Sequence, residues 1–86
     1  MIRTVIKFYA DWCKPCKMMT PIFEKVQTTK PNHIYKEVNI DHNAGLAAQY
    51  AVSSIPTIIV LENGRVIARK TGMMGLKDLE NLIEGD

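Results

Sequence analysis

The sequence predicts an α/β fold in which a mixed four-stranded sheet is flanked by helices. Three observations support this prediction. First, the spacing of apolar residues changes along the chain between that of a strand and that of a helix. Second, a strand–helix–strand unit opens the chain. Third, the pair Asn63-Gly64 separates the last two strand-like runs. With 86 residues, of which 47% are hydrophobic, the chain fits a single domain spanning residues 1–86.

The first half of the chain predicts a strand, a long helix and a second strand. Residues 4–10 are rich in β-branched and aromatic side chains, which favour a strand. Between residues 13 and 30 the apolar positions recur as on one face of a helix (Met19, Ile22, Phe23 and Val26). Residues 34–40 form the next predicted strand, which we expect at an edge of the sheet. A right-handed crossover makes these two strands parallel.

The second half predicts a short helix, a β-hairpin and a terminal helix. Residues 43–50 carry the apolar positions of a short helix. Residues 57–61 are almost wholly apolar, as expected of a strand that is buried on both faces. Asn63-Gly64 then predicts a tight turn into an antiparallel strand at residues 65–71. The last helix is marked by four apolar residues, Leu76, Leu79, Leu82 and Ile83.

Composition and charge exclude several classes of protein. The net charge of +2 comes without a basic block, so we expect no nucleic-acid binding. No apolar run reaches the ~18–20 residues of a membrane helix, and no signal-peptide pattern opens the chain, so we expect a cytoplasmic protein that does not bind membranes. The two cysteines, Cys13 and Cys16, are too few for a disulfide-stapled secreted domain. In a reducing compartment, so close a pair is more typical of redox chemistry.

The motif Trp12-Cys13-Lys14-Pro15-Cys16 lies where the first strand ends and the first helix begins. A helix N-terminus presents unpaired N–H groups and about half a positive charge, and both favour a thiolate. We therefore expect the pKa of Cys13 to lie below the value of about 8.5 for a free thiol. Cys13 is the predicted attacking nucleophile, and Cys16, which we expect to be more buried, is the predicted resolving thiol.

The chain resembles the thioredoxin family from about Val5 to Ile83. The resemblance rests on five separated motifs: Phe8-Tyr9-Ala10-Asp11-Trp12-Cys13-Lys14-Pro15-Cys16-Lys17-Met18, Asn39-Ile40-Asp41, Ile55-Pro56-Thr57, Asn63-Gly64 and Gly72. It implies the thioredoxin fold and a protein-disulfide reductase whose redox group is the Cys13–Cys16 disulfide, with no bound cofactor. It also implies a monomer that receives electrons from NADPH through thioredoxin reductase. Its substrates would be proteins with disulfides, among which ribonucleotide reductase is a family-level expectation.

The resemblance also implies which residues bind the substrate. Pro56 is expected to follow a cis peptide bond and to face the cysteine pair. The backbone of Ile55 is expected to hydrogen-bond an extended substrate segment. The expected apolar docking surface consists of Trp12, Ile55, Pro56, Gly72 and Met73, with Lys14 and Pro15 beside it.

The sequence departs from the family in three ways. It begins at what is normally the second strand, so we expect a shortened form that lacks the usual first strand and helix. The family has Gly at the position of Lys14. It also has Asp at the position of Lys7 and Lys at the position of Glu37, so these two charges are exchanged.

The exchanged charges suggest a reciprocal pair beneath Cys16, because a buried lysine without a partner tends to lose its proton. In one hypothesis Glu37, or Lys7 in its neutral form, takes the proton of Cys16. In another, a charged Lys7 stabilises the Cys16 thiolate. Alternatively, Lys7 extends to the end of the sheet and keeps its charge in water.

Other functions remain open at this point. The small size also fits a glutaredoxin-like protein recharged by glutathione, although Trp12 and the Lys14-Pro15 pair favour a thioredoxin. A non-catalytic thioredoxin-like binding module is a third interpretation. A zinc site would need His33 and His42 to join the cysteines, and their spacing is not that of a zinc finger, so no metal site is expected.

Overall fold

The computed structural model describes residues 1–85, in which strands and helices alternate as the sequence predicts. The elements are β1 (Thr4–Tyr9), α1 (Lys14–Thr29), β2 (Ile34–Asn39), α2 (Ala44–Gln49), β3 (Thr57–Glu62), β4 (Arg65–Thr71) and α3 (Leu76–Glu84). The α/β class, the order of the elements and their bounds to within about a residue are confirmed. The long helix α1 passes through Pro21 and ends at Lys30.

The four strands form one mixed sheet in the order β2-β1-β3-β4. β1 is parallel to β2 and antiparallel to β3, and β3 is antiparallel to β4. The turn between β3 and β4 has positive φ at both Asn63 (52°) and Gly64 (79°), the conformation that makes Asn-Gly a strong hairpin signal. The predicted edge position of β2 is confirmed, and β1 lies inside the sheet.

Helices cover both faces of the sheet. On one face the strands pack against α1 and α3 (Val5, Ile58 and Val60 with Met19, Phe23, Leu79 and Ile83). On the other face they pack against the α2 side (Ile6, Phe8 and Ile59 with Ala47). Ile58 and Ile59 are both fully buried, which confirms that β3 is covered on both faces. Within residues 1–85, no helix is both long and apolar enough to cross a bilayer.

The strand directions bring three chain segments to one end of the sheet. α1 follows the carboxyl end of β1. Because β3 runs antiparallel to β1, its first residue, Thr57, pairs with Phe8 near that same end. The loop that precedes β3 therefore arrives beside the start of α1, and so does the segment that leaves β4, since Thr71 pairs with Thr57. This end of the sheet carries the candidate site.

The opposite end of the sheet is closed by a cluster of charged side chains. The Arg3 guanidinium contacts the Glu62 carboxylate at 2.9 Å. The backbone N–H of Arg3 donates to His33 Nδ1 at 3.0 Å. His33 Nε2 lies 3.3 Å from Glu84 Oε1, and this hydrogen bond is the main cause that lowers the pKa of Glu84. These contacts join the residues just before β1 and β2 to β3 and α3, at the end of the sheet opposite the cysteines.

Candidate active site

The cysteine pair forms the first turn of α1. Cys13 is the N-cap residue, and its Sγ accepts a hydrogen bond from the Cys16 N–H at 3.2 Å. The two cysteines are joined by a disulfide, with their Cα atoms 5.3 Å apart. Pro15 lies in the first turn, where a missing N–H leaves no helical bond unmade. The sulfur of Cys13 therefore lies at the positive end of the helix.

Both cysteines are buried in the disulfide form, with 4% of Cys13 and 2% of Cys16 exposed. They pack with Ala10 in a small apolar cluster at the end of β1. Lys14 and Pro15, between them, are exposed on the surface. The cysteines thus lie just beneath the surface, with the exposed Lys14-Pro15 pair beside them.

The loop of residues 50–56, which connects α2 to β3, places Ile55 beside the cysteines. Ile55 is half-buried and packs against the cluster that contains both sulfur atoms. The Ile55–Pro56 peptide bond is cis, and Pro56 is buried. The Gly72 N–H donates to the Pro56 carbonyl at 2.8 Å, which joins the segment after β4 to this loop. Gly72 has φ of 100°, where a side chain would strain the backbone.

Two large apolar side chains are exposed in the segments that adjoin this loop and the cysteines. Trp12 is 69% exposed and Met73 is 44% exposed. The Trp12 indole N–H donates to Asp41 Oδ2 at 2.9 Å, and the Asp41 N–H donates to Asn39 Oδ1 at 2.9 Å. Asp41 thus fixes the indole. Sequence analysis quoted Asp41 only as part of a motif, and its contact with Trp12 joins segments 29 positions apart.

A cleft of about 300 Å³ lies on the α1 side of β1. Its lining residues are Lys7, Tyr9, Ala10, Asp11, Cys16, Lys17, Thr20 and Glu37. Lys7 and Glu37 are paired in the β1–β2 register, and their side chains form an ion pair with 2.8 Å between Nζ and Oε1. The Lys7 side chain is 2% exposed and that of Glu37 is 50% exposed. Lys7 is therefore held inside the molecule by Glu37 and does not extend to water.

Two aromatic rings enclose the Lys7 ammonium. Its nitrogen lies 5.4 Å from the centre of the Tyr9 ring and 5.3 Å from that of Phe23. Rings at this distance attract a cation through their negative faces. Sequence reasoning did not give Tyr9 and Phe23 this role. The signal for Tyr9 is its position two residues after Lys7, which places both side chains on one face of β1.

The structure does not bring His33 to the cysteines. His33 contacts Arg3 and Glu84 at the opposite end of the sheet. In the part of the chain that the structure describes, no group of three or more His, Cys, Asp or Glu residues is arranged to hold a metal ion.

Comparisons with known proteins identify the family. A family model described as Thioredoxin matches residues 2–85. The chain belongs to the thioredoxin family. A thioredoxin of Chlamydia caviae is 43% identical over 79 residues, which make up 92% of this chain and 74% of that protein. Together with the cysteine pair, this membership makes the chain a protein-disulfide oxidoreductase.

Solved thioredoxin structures share the fold. Mitochondrial thioredoxin 3 from Saccharomyces cerevisiae aligns with a TM-score of 0.90 at 31% identity, covering 98% of this chain and 78% of that one. Fasciola hepatica thioredoxin aligns with a TM-score of 0.91 at 29% identity, covering 96% of this chain and 79% of that one. The thioredoxin fold that the motifs implied is confirmed.

The ion pair in the cleft leads to a prediction about stability. Glu37→Ala leaves the buried Lys7 ammonium without its carboxylate, so we expect the free energy of unfolding to fall by about 1–3 kcal/mol. The loss stays below the ~3–5 kcal/mol of a fully buried pair because Glu37 is half-exposed. Chemical denaturation of the oxidised parent and variant measures this difference in the free energy of unfolding.

The controls separate the pair from general effects of charge. Lys7→Met in the Glu37→Ala background removes the unpaired charge and should recover most of the loss. Lys36→Met, at an exposed neighbouring position of β2, should change stability by less than about 0.5 kcal/mol. A Glu37→Ala protein as stable as the parent would contradict the prediction.

Proposed function

We propose that the chain reduces disulfide bonds in other proteins by dithiol exchange between Cys13 and Cys16. One observation carries this proposal: the sulfur of Cys13 is the N-cap atom of α1 and accepts a hydrogen bond from the Cys16 N–H. In the reduced protein, the same N–H and the positive helix end favour the thiolate. They should lower the pKa of Cys13 below that of a free thiol.

The reaction proceeds in two exchanges. The Cys13 thiolate attacks one sulfur of the substrate disulfide, and the other substrate sulfur leaves as a thiolate that takes a proton from water. The Cys16 thiolate then attacks the Cys13 sulfur of the mixed disulfide and displaces the substrate's second sulfur. Two electrons pass to the substrate, and the Cys13–Cys16 disulfide remains.

The surroundings of Cys13 support a peptide as substrate. We assign the apolar docking surface to Trp12, Ile55, Pro56, Gly72 and Met73. Trp12 and Met73 are the exposed parts of this surface, and Trp12 is oriented by Asp41. Ile55 packs against the cysteine cluster, and its backbone would pair there with an extended substrate segment. Lys14 and Pro15 lie at its rim.

Single cysteine variants test this assignment of roles. Cys16→Ser should accumulate a mixed disulfide between Cys13 and a protein substrate such as insulin, because the resolving thiol is missing. Cys13→Ser should form no such adduct and should lose turnover. Mass spectrometry of the non-reduced products measures both. Adducts that form through Cys16 instead would reverse the assignment, and a double Cys13→Ser/Cys16→Ser protein with full biological activity would favour a binding module.

We assign Lys7 and Glu37 to the second exchange. Both line the cleft together with Cys16, so the ion pair and the resolving sulfur share one environment. The Lys7 ammonium would stabilise the Cys16 thiolate by its charge. Half-exposed Glu37 would accept the Cys16 proton through water in the cleft and pass it to solvent.

The pH dependence of the second exchange tests these roles. Glu37→Gln should slow the release of substrate from the mixed disulfide by about tenfold or more, because the proton acceptor is lost. Lys7→Met should move the rise of this rate to higher pH, since the thiolate loses a nearby cation. Stopped-flow kinetics between about pH 5 and pH 9 measure both effects.

The controls account for the other titratable groups that line the cleft, which are Tyr9, Asp11 and Lys17. When Asp11→Asn or Lys17→Met is added as a background, the slower release in Glu37→Gln and the shift to higher pH in Lys7→Met should both persist. Lys36→Met, outside the cleft, should reproduce the parent profile. If neither Lys7→Met nor Glu37→Gln alters the profile, both roles are rejected.

The electron donor distinguishes a thioredoxin from a glutaredoxin-like protein. We propose that NADPH supplies electrons through thioredoxin reductase. The protein would act in the cytoplasm, and ribonucleotide reductase is a candidate substrate. The oxidised protein should be reduced by NADPH with thioredoxin reductase much faster than by glutathione. Absorbance of NADPH in the two coupled assays measures the rates. Faster reduction by glutathione would instead establish a glutaredoxin-like protein.

A further inference from the structure

We propose that Arg69 is a positioning residue that holds the 50–56 loop beside the cysteine pair; the proposal rests on the function proposed above. The Arg69 guanidinium donates one hydrogen bond to the carbonyl of Tyr50, at 2.9 Å, and another to that of Ala51, at 3.3 Å. Both acceptors open the loop that carries Ile55 to the sulfur atoms. Arg69 belongs to β4 and thus joins the loop to the sheet.

The acceptors of these hydrogen bonds lie at a strained helix end. α2 ends at Tyr50, and Ala51 has φ of 54°, in the left-handed region that glycine usually occupies. The Ala51 N–H donates to the Ala48 carbonyl at 3.0 Å, and the Val52 N–H donates to the Ala47 carbonyl at 2.9 Å. This is the Schellman pattern, with alanine where glycine is favoured because an alanine Cβ is crowded there.

A guanidinium suits this position for two reasons. The last carbonyl groups of a helix have no partners within it and carry partial negative charge, so a cation there is favoured. The planar fork of arginine also presents several donors at once, which allows two adjacent carbonyls to be held together. Arg69 therefore offsets the strain at Ala51 and fixes the direction in which the loop leaves α2.

The other end of the loop is anchored separately. The Thr57 hydroxyl donates to the Ser54 carbonyl at 2.6 Å, and the Gly72 N–H donates to the Pro56 carbonyl at 2.8 Å. Loss of Arg69 frees the α2 end alone. The Ile55 backbone then becomes less well placed to bind an extended peptide, while the helix end that activates Cys13 is untouched.

The test compares Arg69→Gln with Arg65→Gln, which removes the same charge from an exposed position of the same strand. Dithiothreitol is the reductant, with insulin as a protein disulfide and hydroxyethyl disulfide as a small one. Arg69→Gln should raise KM for insulin by about three- to tenfold, with kcat within about twofold, because only peptide positioning is lost. The rate with hydroxyethyl disulfide should stay within about twofold of the parent, and Arg65→Gln should match the parent throughout.

Two further variants make the test specific to the loop. Arg69→Lys keeps the charge without the planar fork, so its KM for insulin should lie between those of the parent and Arg69→Gln. If Arg69→Gln does not fold, Arg69→Lys takes its place in the test. Ala51→Gly relieves the strain, so it should reduce the effect of Arg69→Gln on KM. Hydrogen exchange at the Val52 amide should be faster in Arg69→Gln than in Arg65→Gln.

The outcomes separate this proposal from the proposed function. An unchanged KM for insulin, or equal losses with insulin and with hydroxyethyl disulfide, overturns the positioning role of Arg69. If the parent protein does not reduce insulin at all, the proposed function fails instead. In that case, exchange at the Val52 amide still decides whether Arg69 holds the loop, and unchanged exchange overturns it.

Discussion

The proposed redox chemistry depends on one local interaction, the hydrogen bond from the Cys16 N–H to the Cys13 sulfur at the start of α1. A helix end leaves such N–H groups unpaired, so a sulfur at the cap lies where negative charge is stabilised. A turn before the helix supports this position, because the Cys13 N–H donates to the carbonyl of Ala10, the residue just after β1. The strand and the helix therefore meet at the reactive atom, and the rest of the sheet keeps this junction fixed.

The ion pair between buried Lys7 and half-exposed Glu37 is a second constraint, and stability alone does not explain it. Lys7 occupies the middle of a central strand, where an apolar side chain of similar size would pack at least as well, since a buried ion pair seldom exceeds such a replacement in stability. Its ammonium is held by Glu37 and by the rings of Tyr9 and Phe23. Lys7 shares its cleft with Cys16, where the proposed second exchange would use this charge.

Local patterns were enough to predict the elements and the cysteine pair at the start of α1, whereas the docking residues were expected only from the resemblance to the thioredoxin family. The apolar run of β3 and the Asn63-Gly64 turn each reflect interactions within a few residues, and the structure contains both as predicted. The Lys7–Glu37 pair was suggested by charges exchanged relative to the family pattern, and the structure pairs the two residues on neighbouring strands. The contacts of Asp41 with Trp12 and of Arg69 with the end of α2 were not predictable, because each depends on how far a side chain reaches between elements distant in sequence.

Those unpredicted contacts share a property that bears on the proposed docking surface around Cys13. Trp12 is oriented by Asp41, just after β2, while the two ends of the 50–56 loop are held by Arg69 on β4 and by Gly72 just after it. Each segment near Cys13 is thus anchored to the sheet by directional hydrogen bonds. A small domain buries too little apolar surface to hold exposed loops by packing alone. Such directional bonds would preorganise the proposed docking surface without a larger core, and this would save ordering entropy when a substrate binds.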